Sequence, residues 1–438
     1  MNLWVYINLK ESIRRYGILQ FTFKYGKKDI KIKLSPENFI GKIEPQEMEG
    51  LSDPVQAVRE ALENPIGSPR LDEIAALKKP GKVVIIVNDL TRVTPYQHML
   101  PPLLAELAEA GVKDGQITFV VATGNHRGHS EQENRELYTE EIAGRYVFIN
   151  HDCTKDLVSM GRLTDGNELM VNKHVAEADM VITTGLINPH QIAGFSGGRK
   201  SIMPGVVSKE LITLNHSRMT APGAKLGNYQ DNPVHHMMME VAGRVGVDFI
   251  LNAVTNSNRE IVKVVAGELE QAWIAGVDVS RKMNMVKLAE QADVVIASAG
   301  GYPKDINVYQ AQKALTNAAE AVKSGGTVIL VAQCPEGFGD SVFEEWTREA
   351  GSKDDILNRF KAGFELGGHK AYAIAQVLKD KEVVMISDLP QKDVEQLFFT
   401  YGANIKDALE YAARKHGENY RAYIIPEAGL VFPVSPGV

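Results

Sequence analysis

The sequence predicts an α/β protein of two lobes, each a mainly parallel sheet flanked by helices. Three observations point there. Short Val- and Ile-rich runs alternate with helical patterns, as parallel sheets covered by helices require. The 438 residues exceed what one ordinary core accommodates, so two domains are expected. The second half also repeats the vocabulary of the first: ADVVIASAGG at 292–301 echoes ADMVITTGLI at 178–187, and GGTVILVAQC echoes GKVVIIVNDL.

The elements follow in order. Residues 1–20 read as an appendage before a strand pair, ILQFTFKYG and KDIKIKL. In DPVQAVREALENP, Asp53 is placed to cap a helix with Pro54 at its first position, and Val55, Val58 and Leu62 recur at helical spacing. The runs at 83–87, 117–122 and 180–184 are continuous apolar strands, which implies burial on both faces. A second apolar helix runs through Leu103, Leu104 and Leu107. The break between lobes is expected between Glu270 and Met283. This gives an N-terminal domain at 1–275, a C-terminal domain at 276–420 and a tail at 421–438. The tail's AYIIPEAGLVFPV could add a strand to either lobe, with the N-terminal domain as the expected partner.

Composition narrows the class. Hydrophobic residues make up 44% of the chain and charged residues 24%, the balance of a soluble globular protein. A formal net charge of -7 runs against nucleic-acid binding, which wants a basic stripe. No run reaches the ~18 apolar residues that a membrane helix needs, and MNLWVYINLKESIRRYG lacks the order of a secretion signal. The two cysteines, Cys153 and Cys334, are too distant to suggest a disulfide framework or zinc knuckle. The expectation is a cytoplasmic protein with neither nucleic-acid nor membrane partners.

The chemistry concentrates in PHQIAGFSGGRKSIMPGVVSKELITLNH, residues 189–216. Lys200 follows a glycine-rich turn, Ser196, Gly197 and Gly198, with His190 before it and His216 after it. Glycines permit positive φ and close approach of a ligand to the backbone. A lysine there can pair with phosphate or act as a nucleophile, and imidazoles can serve as bases or metal ligands. A bulky anionic cofactor, bonded to the protein, would suit these parts.

In open α/β sheets ligands bind beyond the carboxyl ends of the strands. Three such ends carry dense polar groups: Asn88-Asp89-Leu90-Thr91-Arg92, Thr123-Gly124-Asn125-His126-Arg127 and Asn188-Pro189-His190. Each piece has a plainer reading, with Asp89 as a helix cap, Arg92 as a surface cation and His126 as a loop histidine. Their concurrence at one sheet edge, with Lys200 following, favours a site. In the second lobe, Gln310 and Lys313 are spaced to share a helix face and grip a carboxylate or hydroxyl together; the plain alternative is a solvated amphipathic helix. His235 and His236 point about 100° apart on a helix and cannot easily share a metal. The Met237-Met238-Met239 run reads as core, and His129 as a surface residue.

NDLTR, TGNHR, PHxxAGFSGGRK, the MPG that follows and then NH closely resemble the nickel-pincer lactate racemase family of 2-hydroxy acid racemases and epimerases. The likeness runs from about residue 20 to the C-terminus. It implies two α/β lobes with the active site in the cleft between them. It also implies a nickel-pincer nucleotide, a pyridinium mononucleotide with two thio-substituents, joined covalently to Lys200 through a thioamide. Sulfurs and a ring carbon would hold Ni(II), with His216 completing a plane that suits soft donors plus imidazole. The family's catalytic histidines fall on His126 and His190, and its substrate-gripping residues on Arg92, Gln310 and Lys313. Asp89 and Thr91 fall where the mononucleotide is contacted, beside the Ser196, Gly197 and Gly198 turn. Expected partners are a 2-hydroxy acid and the proteins that synthesise the cofactor.

The chemistry is coherent. The C2 hydrogen of a 2-hydroxy acid is poorly acidic because the adjacent carboxylate resists further charge, and removal as hydride avoids a carbanion. Two alternatives stay open at this point. One is a Schiff-base or pyridoxal-phosphate lysine enzyme at Lys200, in which His216 has no task. The other is a non-catalytic ligand-binding relative of the same fold.

Overall fold

The structure, a computed structural model, describes residues 17–435. The proposed appendage at 1–20 therefore lies mostly outside the described residues. Two compact units are present, one of Gln46–Met283 and one that joins residues 17–45 to 284–435.

In the unit Gln46–Met283, six strands among the described residues form one sheet, in the order Ile261–Gly267, Phe249–Thr255, Met180–Leu186, Val83–Asn88, Ile117–Ala122, Val147–Asn150. Pairing is parallel throughout except for the antiparallel edge pair Phe249–Thr255 with Ile261–Gly267. Strand geometry sends alternate side chains to opposite faces, and both faces are covered. Val83, Ile85 and Val87 pack with Val58, Leu62, Met99 and Leu103 from the helices Pro54–Glu63 and Tyr96–Glu109. Val84 and Ile86 belong to the opposite core, with Leu211, Met237, Met238, Val241 and Trp273. Asp53 caps its helix as expected, its carboxylate accepting from the Gln56 N–H at 2.9 Å.

The other unit is also built on six strands among the described residues, all parallel, in the order Thr400–Tyr401, Glu382–Ile386, Val322–Val331, Ala292–Ser298, Ala422–Ile425, Phe39–Lys42. Here the structure corrects the domain reading in two places. The hairpin Leu19–Tyr25 with Lys28–Leu34, expected to open the N-terminal domain, buries Phe23, Ile32 and Leu34 against Val294, Ile296 and Ile329 of this unit. The tail was expected to turn back on the N-terminal domain. Instead Ala422–Ile425 lies in this unit's sheet and Phe432–Val434 pairs with Met285–Lys287. Backbone pairing across hundreds of residues leaves no local trace, which is why spacing alone misplaced both ends. No helix among the described residues is long and apolar enough to cross a membrane.

Candidate active site

The carboxyl ends of three parallel strands in the unit Gln46–Met283 converge on one pocket. It holds about 770 Å³ of empty space, open mouth included. Its lining brings together Asp89, Thr91, Arg92, His126, His190, Ser196, Gly197, Lys200 and His216, nine of the residues singled out in the sequence. Gly198 lies behind the lining, its N–H donating to Asn252 Oδ1 at 2.9 Å.

The first strand end is held from several sides. The Asn88 N–H donates to Tyr96 Oη and its carbonyl accepts from Tyr138 Oη, each at 2.6 Å. His129 corrects the surface reading. It is buried, and its Nε2 accepts the Leu90 N–H at 2.9 Å, propping the loop that carries Asp89 to Arg92. Asp89 is not a helix cap. Its Oδ1 accepts from Thr91 Oγ1 and its Oδ2 meets His126 Nδ1, both at 2.6 Å. Burial alone would raise this carboxyl. The bonds from His126 and Thr91, with the nearby charges of His126 and Arg92, outweigh burial and hold it below the ordinary carboxylate value. Half of the His126 side chain remains exposed. A carboxylate on Nδ1 favours the proton there, leaving Nε2 as the basic nitrogen of the neutral ring.

His190 sits on a two-residue strand paired with Gly194–Phe195, and its Nδ1 accepts the Ala193 N–H at 3.3 Å. In the neutral ring that arrangement puts the hydrogen on Nε2. The two imidazoles are thus set in opposite tautomers. His216 rides near the end of the helix Lys209–Ser217, capped by Ser208. Its Nδ1 lies 2.8 Å from the Ile212 carbonyl one turn back, so Nδ1–H donates there and the lone pair falls on Nε2. Metal-ligating imidazoles characteristically show this pattern.

Lys200 is half-buried in a one-turn helix, Gly198–Ser201. Gly197 takes φ +76°, and a Cβ there would come within 2.6 Å of Ile187 Cγ1. At Gly198, with φ +50°, a Cβ would press on the Trp273 ring at 3.1 Å. Ser196 shapes the turn through its hydroxyl, which donates to the Leu186 carbonyl and accepts from the Asn188 N–H, both at 2.8 Å.

Arg199, whose role the sequence reading passed over, is fully buried. Its Nε donates to His235 Nδ1 at 3.0 Å, Nη2 to the carbonyls of Ala193 and Phe195, and Nη1 to those of Ser196 and Gly197. The guanidinium stacks 3.9 Å from the Trp273 ring centroid. Burial lowers its pKa to about 9, still far enough above neutrality to keep it a cation. Burial, then the charge of Arg199, pushes His235 down to about 3, so this ring is a neutral acceptor. His236 turns elsewhere, to the Gln230 carbonyl at 2.7 Å, so the adjacent pair shares no ligand. Met237 and Met238 are core, as read.

In the other unit, Gln310 and Lys313 share a face of the helix Val308–Ala319, Lys313 Nζ donating to Gln310 Oε1 at 3.0 Å. Beneath that helix, the buried Lys370 donates to Gln312 Oε1 at 2.9 Å. Burial, followed by the charge of Lys313, lowers its pKa to about 7.

Known proteins resemble this chain along most of its length. Residues 25–227 match the family model for a lactate racemase N-terminal domain, and residues 287–432 match that for a lactate racemase C-terminal domain. A lactate racemase from Thermoanaerobacterium thermosaccharolyticum is 35% identical over 379 residues, covering 84% of this chain and 88% of the relative. One from Lactiplantibacillus plantarum is 33% identical over 415 residues, 92% of this chain and 97% of the relative. The solved lactate racemase apoprotein of T. thermosaccharolyticum superposes with a TM-score of 0.89 at 33% identity, covering 95% of this chain and 100% of that one.

Proposed function

The chain belongs to the lactate racemase family and is an isomerase; from that premise we propose that it interconverts the enantiomers of a 2-hydroxy acid, lactate by default, by reversible hydride transfer to a lysine-tethered nickel-pincer nucleotide. The observation that carries this reading is the gathering of Lys200, His216, His126, His190 and Arg92 around one pocket.

The residues fit such a group. Lys200 offers an amine at the wall, the glycines of its turn let a planar ring approach the backbone, and His216 presents a ligating nitrogen. Among the described residues no three His, Cys, Asp or Glu side chains form a metal-holding cluster. A nickel ion here would therefore take donors from the organic group as well as from His216. Asp89 and Thr91 are assigned to the mononucleotide on the resemblance. When bound, the group supplies an electron-poor ring carbon that takes the substrate's C2 hydrogen with its electron pair and returns it.

The chain's own residues do the rest. Arg92 pairs with the substrate carboxylate, and a guanidinium can do so bidentately. Gln310 and Lys313 are assigned to substrate binding by the same resemblance. His126, with Nδ1 on Asp89, removes the hydroxyl proton through Nε2. His190, when its ring is doubly protonated, delivers the Nε2 proton to the keto oxygen and returns to the neutral form. For the opposite enantiomer the protonated His126 is the donor, and His190, left with its remaining proton on Nδ1, takes the hydroxyl proton through Nε2, so inversion uses both in every turnover.

The test is mass spectrometry and nickel analysis of protein produced with the cofactor-synthesis proteins, followed by chiral chromatography on a panel of 2-hydroxy acids. A sulfur-bearing adduct on Lys200, one nickel and racemisation are expected. A pyridoxal mass on Lys200, or bare protein without racemisation, would overturn the proposal.

A further inference from the structure

We propose that Arg199 is the positioning residue for Lys200: by closing the preceding loop onto its guanidinium, it fixes the turn from which the lysine amine enters the pocket. The inference deepens the reading of Lys200 as the attachment point.

The geometry is a matched count. A guanidinium has five N–H donors in a rigid fork, and Arg199 has five acceptors: four carbonyls, of Ala193, Phe195, Ser196 and Gly197, and His235 Nδ1. No carboxylate neutralises it among the described residues, so backbone carbonyl dipoles and the Trp273 ring solvate the charge. Trp273 Nε1 adds a bond to the same Ser196 carbonyl at 2.8 Å. The carbonyls of one short loop thus point inward at one cation. Arg199 and Lys200 are neighbours in a one-turn helix, where successive side chains point well apart around the axis. With Arg199 buried among Phe195, His235 and Trp273, Lys200 is left facing the pocket it lines. A lysine at position 199 would bring three donors for five acceptors and no planar fork.

The test uses Arg199→Lys with two readouts. In cofactor-free protein, acetylation by a small amine reagent is followed residue by residue by mass spectrometry. Lys200, half-buried, should react more slowly than the exposed Lys209 and Lys225. In Arg199→Lys its rate should rise toward theirs by at least about five-fold while theirs stay fixed, because the loop no longer holds it. In protein produced with the cofactor-synthesis proteins, adduct occupancy on Lys200 should fall at least about ten-fold, since small misplacements of a reacting group cost on the order of 10²-fold.

A wild-type Lys200 rate in folded Arg199→Lys, or undiminished adduct, would overturn the proposal. Wild-type protein without any adduct would instead defeat the attachment reading, while the acetylation rates still judge Arg199. If Arg199→Lys does not fold, His235→Leu and His235→Gln decide. Leucine removes only the acceptor of Nε and should speed Lys200 acetylation, and glutamine, whose Oε1 can accept, should restore it. Equal rates in wild type and both variants would refute the idea.

Discussion

Replacing Asp89 with Asn isolates the part of the proposed chemistry that depends on one hydrogen bond. Asp89 is buried and meets His126 Nδ1 at 2.6 Å, a charge-assisted contact. The carboxylate only accepts, so it holds the proton on Nδ1 and the lone pair on Nε2. A carboxamide can turn its NH₂ to the ring and stabilise the opposite tautomer, in which Nε2 carries hydrogen and cannot take the substrate's proton. General-base catalysis contributes about 10²–10⁴-fold, and kcat per loaded site should fall by that order. The enantiomers are equal in free energy, so the loss in kcat/KM must be the same in both directions. The assay is polarimetry or chiral chromatography from each pure enantiomer, normalised to adduct occupancy because Asp89 is also assigned to the cofactor. A loaded Asp89→Asn enzyme within about three-fold of wild type would refute the argument that this bond sets the His126 base.

Other substitutions probe separate parts of the molecule. His216→Ala should lose nickel while keeping an organic adduct on Lys200, read by metal analysis beside peptide mass; full nickel occupancy would remove the ligand role. His235 is held neutral with its pKa depressed from 6.5 to about 3. The unfolded chain therefore binds the extra proton first, and stability should fall as pH drops from about 6.5 toward about 3, by up to about 1.4 kcal/mol per unit. His235→Gln should flatten that part of the acid melting profile, and an unchanged slope would contradict it. Lys370, lowered from 10.5 to about 7, has the same sign in another window. Between those values the unfolded state binds more protons, so stability should rise with pH there, and Lys370→Met should abolish the rise in a pH series of denaturant melts.

Much of the site was legible because its residues are local to strand ends. The runs 83–87, 117–122 and 180–184 are the observed strands to within two residues at their ends, and parallel strands deliver their following loops to one edge. That is why Asp89, His126 and His190, far apart in sequence, line one pocket. What stayed hidden depended on contacts with no sequence period. His129 looks like any polar loop residue until its Nε2 is found under the Leu90 N–H. Arg199 stands inside the motif that carries Lys200, yet nothing local in the sequence marks a charged residue between glycine and lysine as buried. Its burial is set by Trp273 and His235, far downstream. The misplacement of 17–45 has the same origin, since the pairing of Phe39 with Ala422 is written in neither segment alone.

The supports of the site share one logic. Three of the side chains proposed for a chemical task, His126, His216 and Lys200, stand on backbone or beside a group whose polar atoms are already engaged. Asp89 fixes His126, the Ile212 carbonyl turns His216, and the guanidinium of Arg199 closes the loop beneath Lys200. Preorganised groups need not be reoriented when charge moves, and reorganisation is a large part of what an active site must avoid. The arrangement also divides the labour of two consecutive residues. Arg199 keeps its charge inside, solvated by carbonyls, and Lys200 carries its amine to the wall. Were that division incidental, reversing the anchoring strength of Arg199 would leave Lys200 unmoved, and the acetylation rates of the two proteins would coincide.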